Sequence, residues 1–298
     1  MRILISGSHG LVGSALVPFL EQRGDAVYRV QRGQSVSETE VQFDFGSGAC
    51  ERARLEGFDA VVHLAGESIG EGRWTRLKKE RIRESRVNGT ANLVQALLSL
   101  SNPPKVFIGA SAMGYYGDRG DAILTEESAP GNSFLAEVCR EWEAAAFPLS
   151  EKGIRVTHLR SGLILSGQGG ALERMLLPFR LGVGGKIGSG NQYWSWIVID
   201  DAVRIIQHLL ENEAIHGPVN VCAADAVTVS VFTKILGKVM RRPSLFPLPA
   251  FAAKVALGEM ANELLLSSIR MKPAKLLSSG YAYLYPDLEE ALYHAVVK

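Results

Sequence analysis

RILISGSHGLVG, residues 2–13, is the stretch that decides the fold. A short apolar run with strand character leads into three glycines, Gly7, Gly10 and Gly13. LVGSALVPFLEQRG (11–24) follows, with apolar residues at helical spacing and a glycine stop. Glycines spaced G-x-x-G-x-x-G between strand and helix have a physical purpose. Gly7 permits the tight turn, Gly10 lets the backbone approach a pyrophosphate, and Gly13 lets helix and strand pack closely. The first helical residues, Leu11 and Val12 with Gly13, then offer unpaired N–H groups to phosphate oxygens.

The same alternation continues outward from this turn. AVYRVQR, VQFDF, DAVVHLAG, KVFIGAS and RVTHLRSGLIL read as further strands, and WTRLKKERIRESRVNGTANLVQALLSL (74–100) reads as a long charged helix. Short apolar runs alternating with amphipathic helices imply an α/β fold of Rossmann type, a doubly wound parallel sheet covered on both faces. After about residue 166 the pattern loosens into a Gly-rich but Leu- and Phe-punctuated segment, then mostly helical chain interrupted by RRPSLFPLPAF (241–251). The expected organisation is a dinucleotide-binding domain over 1–165, with sheet elements continuing to about 225. A small, mostly helical substrate lobe is expected over 166–298.

Composition narrows the function. The 298 residues are 47% hydrophobic and carry a formal net charge of +1, which supplies a sizeable core and no polyanion-binding surface. Cys50, Cys139 and Cys222 are scattered, which fits reduced thiols in a cytoplasmic protein better than a disulfide framework. MRILISG runs directly into strand and lacks the features of a signal peptide. No stretch approaches an uninterrupted apolar span of about 20 residues. The expected partner is a small molecule, with neither nucleic acid nor membrane, and a homodimer is left open. No His or carboxylate pair has metal-site spacing, so no metal is expected.

The end of the second strand bears on the cofactor. An NAD-selective fold places an acid there for the ribose hydroxyls. This chain has VYRVQRG, with Arg32 and no acid nearby. A guanidinium suits a 2′-phosphate, so NADP (NADPH) is the expected cofactor.

These residues resemble the extended short-chain dehydrogenase/reductase superfamily. LAGESI, the Trp74 region, SAMGYYGD, the TEE-to-CREWE segment, LRSGLILS, MLLPFRLGVGGKIGSG and GYAYLYPDLEEAL extend the resemblance over essentially the whole chain. Together they resemble an atypical branch called the epimerase family, or nucleoside-diphosphate-sugar epimerase-like, with a C-terminal domain of unknown function. The resemblance implies that Asp44 and Phe45 lie where the adenine is held. It implies that Leu64, Ala65 and Gly66 of HLAG run along the cofactor, and that VNGT (87–90) is the helix signature after them. Ser111 matches the serine of the catalytic set. Arg160 follows a strand and faces either the cofactor or a carboxylate. Ser161 and Gly162 lie where the backbone meets the nicotinamide amide.

The resemblance breaks at the proton-handling residues. Its usual members carry Tyr-x-x-x-Lys after the serine, the lysine lowering the tyrosine pKa. Here NSFLAEVCREWEAA puts Phe134 or Leu135 at the tyrosine position and Val138 or Cys139 at the lysine position. Arg86 replaces the usual asparagine before VNGT, where it can bring positive charge to the nicotinamide or pyrophosphate. Ser111 can hold a hydroxyl. Tyr115 or Tyr116 can stand in for the lost tyrosine from the loop, or both are packing residues. Cys139 reads as a buried small hydrophobe, and Trp142 and Glu143 as anchors of their helix. The basic run RWTRLKKERIRESR reads as a solvated helix face, with an anion site as the other reading. PFRLGVGGKIGSGNQYWSW, with Arg180 and Lys186, covers the substrate or closes a seam. Two functions stay open: an NADP-dependent oxidoreductase or sugar-nucleotide epimerase acting on a small substrate, and a catalytically silent NADP(H)-binding sensor or scaffold.

Overall fold

The structure is a computed structural model, and it describes residues 1–33 and 37–297. The chain runs through β1 (Arg2–Ser6), α1 (Leu11–Gln22), β2 (Ala26–Gln31), β3 (Glu40–Gln42), β4 (Ala60–His63), α2 (Arg76–Leu98), β5 (Val106–Ala112), β6 (Ile123–Leu124), α3 (Phe134–Ala145), α4 (Phe147–Glu151), β7 (Arg155–Ser161) and β8 (Leu163–Leu165). It continues through α5 (Gly170–Arg180), β9 (Tyr193–Trp194), β10 (Trp196–Val198), α6 (Ile199–Glu211), β11 (Gly217–Val221), β12 (Val227–Thr228), α7 (Val229–Met240), α8 (Ala250–Leu257), α9 (Glu259–Ala261), β13 (Arg270–Met271), α10 (Ala274–Ser278) and α11 (Leu288–Val297). Seven strands form one parallel sheet in the order β11-β7-β5-β4-β1-β2-β3. The order reverses between β1 and β4, which is where ligands bind in such sheets.

Strict alternation places the core on both faces. Ile3 and Ile5 of β1, Ala60 and Val62 of β4 and Ile108 of β5 pack with α1 and α6. Leu4, Val61 and Phe107 point the other way, into the layer of Leu93, Val94 and Leu97 of α2. Period-2 burial on both faces explains the near-continuous apolar strands. Side-chain caps at Thr75 and Ser133 start α2 and α3, each accepting from the N–H three residues on.

Two readings of the sequence need adjusting. RVTHLRSGLIL is two strands rather than one: β7 stays in the main sheet, and β8 pairs with β10. The break falls at Gly162, where a Cβ would lie 2.6 Å from the Ser195 carbonyl oxygen. The C-terminal part also carries a strand pair, β12 with β9, and its β13 pairs with β6 of the N-terminal part. Its core is built from α5, α7 and α11 around Trp194, Trp196, Phe232 and Leu292. Among the described residues no helix is long and apolar enough to cross a membrane.

Candidate functional site

The Gly-rich turn is fixed by its own packing. Gly7 has φ +71°, and a Cβ there would lie 2.7 Å from the Leu64 carbonyl carbon. A Cβ on Gly13 would lie 2.7 Å from Ser8 Cα. The turn therefore abuts both α1 and the segment after β4. Gly10 caps α1 without a side-chain bond. Its own N–H goes to the Gly7 carbonyl at 3.0 Å, and its carbonyl accepts from Ser14 N at 2.8 Å. The N–H groups of Leu11, Val12 and Gly13 belong to the first turn and have no intrahelical acceptor. Bare N–H groups at the positive end of a helix fit a pyrophosphate.

A cleft of about 270 Å³ begins at this turn. Gly7, Gly10, Leu11, Val12, Gly13 and Leu64 line one end, and Ser111, Leu135, Val138, Cys139 and Ser161 line the other. Arg86 and Trp142 lie along the same wall. Arg86 Nη1 donates to the carbonyls of Glu67 (3.0 Å) and Ile82 (3.2 Å), and its guanidinium lies 5.0 Å from the Trp142 ring centroid. Burial pulls its pKa below the usual arginine value. No carboxylate pairs with it among the described residues, so it brings net positive charge to the cleft. Most of the rest of the basic run is ion-paired rather than free: Arg76 pairs with Glu80, Lys78 with Glu67, Lys79 with Glu259, and Arg83 with Glu137 and Glu141.

Under the cleft floor runs a buried chain of hydrogen bonds. Ser6 Oγ meets His63 Nδ1 at 2.6 Å, His63 Nε2 meets Thr90 Oγ1 at 3.0 Å, and Trp142 Nε1 donates to the same Thr90 oxygen at 2.9 Å. Ala65 N–H donates to Ser6 Oγ. The chain ties β1, β4, α2 and α3 together. Burial lowers the His63 pKa to about 4, so the ring is neutral.

The other cofactor candidates sit around this frame. Arg32 is exposed just after β2, and its field helps lower the Glu67 pKa, behind the larger effect of Lys78. Asp44 is exposed, and its carboxylate accepts from Gly46 N–H (2.9 Å) and Ser47 Oγ (2.5 Å), with the Ser47 bond first among the causes that lower its pKa. Phe45 stacks on the His63 ring at 5.5 Å. Ala65 is buried, and Gly66 lies against the Arg86 guanidinium.

At the far end, Ser111 and Arg160 are paired neighbours on β5 and β7. Ser111 Oγ donates to Glu143 Oε1 at 2.7 Å. Arg160 grips the same carboxylate with two bonds of 2.8 Å, from Nε to Oε1 and from Nη2 to Oε2. Its Nη1 donates to Tyr116 Oη (3.0 Å) and the Glu126 carbonyl (3.1 Å), and its guanidinium carbon stands 3.4 Å from the Tyr115 ring centroid. The Glu143 bond and charge outweigh burial and raise the Arg160 pKa further. Arg160 thus faces a carboxylate rather than the cofactor cleft.

The two tyrosines have different surroundings. Tyr116 is wholly buried, and its hydroxyl reaches Asn220 Oδ1 at 2.7 Å and the Thr125 carbonyl at 3.1 Å. Burial pushes its pKa up to about 12. A proton-transfer role for Tyr116 has no support in this geometry, because the hydroxyl is spent inside the core. Tyr115 is half-buried, with its ring against Arg160 and edge-on to Tyr116 at 5.3 Å. Gly162 faces the Ser195 backbone, and its neighbour Ser161 lines the cleft in its place.

Helix α3 brings the altered positions to the cleft. Leu135, Val138 and Cys139 line the cleft, whereas Phe134 packs edge-on to Trp74 at 5.6 Å. Burial, helped by the Glu143 charge, pushes the Cys139 thiol up to about 12. Nothing on this wall ionises near neutral pH. The sequence reading treated Glu143 as an anchor and missed that it holds the Ser111 proton. One signal was available: Glu143 stands four residues after Cys139, on the same side of α3.

Comparison with known proteins agrees with this fold. Residues 3–222 match the model of the NAD dependent epimerase/dehydratase family, and residues 248–295 match a domain of unknown function. An epimerase family protein of Mycobacterium leprae is 36% identical over 296 residues, covering 99% of this chain and 96% of that one. One from Bacillus subtilis is 37% identical over 297 residues, covering 98% of this chain and 97% of that one. The crystal structure of human epimerase family protein SDR39U1 (isoform 2) with NADPH superposes with a TM-score of 0.92. That pair is 34% identical, and each chain is covered completely.

Proposed function

The chain belongs to the NAD dependent epimerase/dehydratase family, and from that premise we propose that it binds NADPH along the cleft and exchanges a hydride with a small alcohol or carbonyl compound held at Ser111. The sugar ring of a nucleotide sugar falls within that class. The observation that carries the reading is the single cleft joining the bare N-terminus of α1 to Ser111 across the switch point of the sheet. The human relative solved with NADPH supports the choice of cofactor, as does Arg32 in place of a ribose-binding acid.

In this reading the N–H groups of Leu11, Val12 and Gly13 hold the pyrophosphate. Arg32 meets the 2′-phosphate, and Arg86 adds positive charge along the wall. NADP(H), when bound, supplies or takes up the hydride. The only proton of Ser111 points at Glu143, so the oxygen offers the cleft a lone pair and accepts from an O–H. Arg160 holds the Glu143 carboxylate in place with two hydrogen bonds. An alcohol proton donated to Ser111 can leave as the serine's own proton passes to Glu143 Oε1. The path replaces the missing tyrosine with a relay through two side chains.

A second reading, an NADPH-binding sensor without turnover, is favoured by Leu135, Val138 and Cys139, which present no group that ionises near neutral pH. One experiment separates the two. The protein is incubated with NADPH deuterated at C4 and a panel of small carbonyl compounds, and label transfer is read by mass spectrometry. Transfer that Ser111→Ala abolishes without weakening NADPH binding supports hydride exchange. Saturable NADPH binding with no transfer across the panel supports the sensor.

A further inference from the structure

Two segments that the cofactor site does not use form one exposed face of the C-terminal part. Backbone bonds join them: Phe246 N–H to the Gly184 carbonyl (3.1 Å), Leu248 N–H to the Lys186 carbonyl (2.8 Å), and Gly188 N–H to the Leu248 carbonyl (2.9 Å). Leu181, Leu245, Phe251 and Val255 on this face are 68%, 76%, 71% and 73% exposed. Leu177, Val183 and Phe246 are each more than half exposed. Isolated exposed apolar residues need no explanation, but a cluster of large ones does. Phe251 and Val255 stand four apart on α8, and Leu177 and Leu181 four apart at the end of α5, so each pair shares a helix side.

The charge around this cluster is mostly positive, with Glu173 and Glu259 at its edges and Glu259 paired with Lys79. Residues 174–199 and 241–258 contain no Asp or Glu, while Arg180, Lys186, Arg241, Arg242 and Lys254 are all exposed. None of the five is in an ion pair among the described residues. An apolar cluster with an excess of cations around it is matched by a partner that is negative at its surface and apolar beneath. We propose that this face seats peripherally on an anionic lipid surface, with Phe246, Phe251 and Val255 entering the headgroup layer and the five cations meeting lipid phosphates.

The absence of a spanning segment does not bear on this, since lying on a membrane and crossing it are distinct. A second copy of the chain fits poorly, because a two-fold contact would set the same cations against one another. The seat also has a consequence for the cleft. Arg73 Nη2 donates to the Val255 carbonyl at 3.1 Å, and Arg174 donates to the Gly70 carbonyl. The face thus borders the loop carrying Ile69, which lines the cleft.

The test is co-sedimentation of the full chain with vesicles of phosphatidylcholine alone and of phosphatidylcholine with phosphatidylglycerol at equal parts. The expected partition is at least about tenfold higher on the anionic vesicles and falls in high salt, each cation being worth about fivefold. Arg241→Glu/Arg242→Glu should lose the anionic preference. Phe246→Ser/Phe251→Ser should lose partition on both vesicles, and exposed positions keep these variants folded. Equal partition on both vesicles overturns the proposal. So does binding that survives both variants, or a concentration-dependent dimer that the serine variant dissolves.

Discussion

At the α1 end of the cleft the groups presented are the backbone N–H groups of Leu11, Val12 and Gly13, on a turn crowded at Gly7 and Gly13. At the Ser111 end they are side chains from three elements, Ser111 on β5, Glu143 on α3 and Arg160 on β7, held by mutual bonds of 2.7–2.8 Å. The first end depends on the sterics of seven consecutive residues and of Leu64 and Ala65 against them. The second depends on residues up to 49 positions apart, and it fails if any one partner is lost. Substitutions can therefore separate the two ends, and each outcome breaks or sharpens the contrast.

The largest effect belongs to the side-chain end. Glu143→Gln leaves Arg160 buried without its carboxylate, and losing one partner of a buried ion pair costs about 3–5 kcal/mol. Urea unfolding should show that loss, while the surviving folded protein binds NADPH within about threefold of wild type. If NADPH affinity falls in step with stability, the two ends are one unit and the contrast is wrong. Gly10→Val does the reverse. Its Cβ would meet the Gly7 carbonyl oxygen at 3.2 Å, so the fold should lose only about 1 kcal/mol. NADPH affinity should drop by about 100-fold or more, because the side chain stands where phosphate approaches. Retained affinity in a folded Gly10→Val protein removes the phosphates from this turn.

The side-chain network under the floor also makes stability depend on pH. His63 is held neutral, with its pKa lowered to about 4 from 6.5. Between those values the unfolded chain binds a proton that the folded chain refuses. Its contribution is therefore complete above about pH 6.5 and is lost as the pH falls towards 4. Stability at pH 4.5 should be about 2–3 kcal/mol below that at pH 7.5, and His63→Asn should flatten this part of the slope. Smallest is the tyrosine pair. Tyr116→Phe removes a buried hydroxyl bonded to Arg160 and Asn220 and should cost about 1 kcal/mol, read by thermal melting. Tyr115→Phe keeps the ring that covers Arg160 and should change stability by less than about 0.5 kcal/mol.

The same contrast explains what the sequence could reveal. The sheet and the glycine-rich turn were legible because period-2 strands and glycine spacing are local properties. Ser111 was legible through a family motif. The replacement for the missing tyrosine and lysine was not, because which carboxylate meets Ser111 depends on the register of β5 against β7 and on how α3 rotates over them. Arg160 reads equally well as a cofactor or a carboxylate ligand until that register is known. Tyr115 and Tyr116 are adjacent, and only the tertiary fold sends one hydroxyl into the core. The split of RVTHLRSGLIL at Gly162 was hidden for the same reason, since Ser195, the group that excludes a side chain there, lies 33 residues further on.

The most direct test of the central claim is a titration of the protein with NADPH and with NADH, read by nicotinamide emission and by quenching of Trp142 in the cleft wall. Saturable binding that favours NADPH is predicted, with Arg32→Ala weakening NADPH about tenfold and leaving NADH unchanged. Equal affinity for the two cofactors in the wild-type protein, or no saturable change with either, would contradict it.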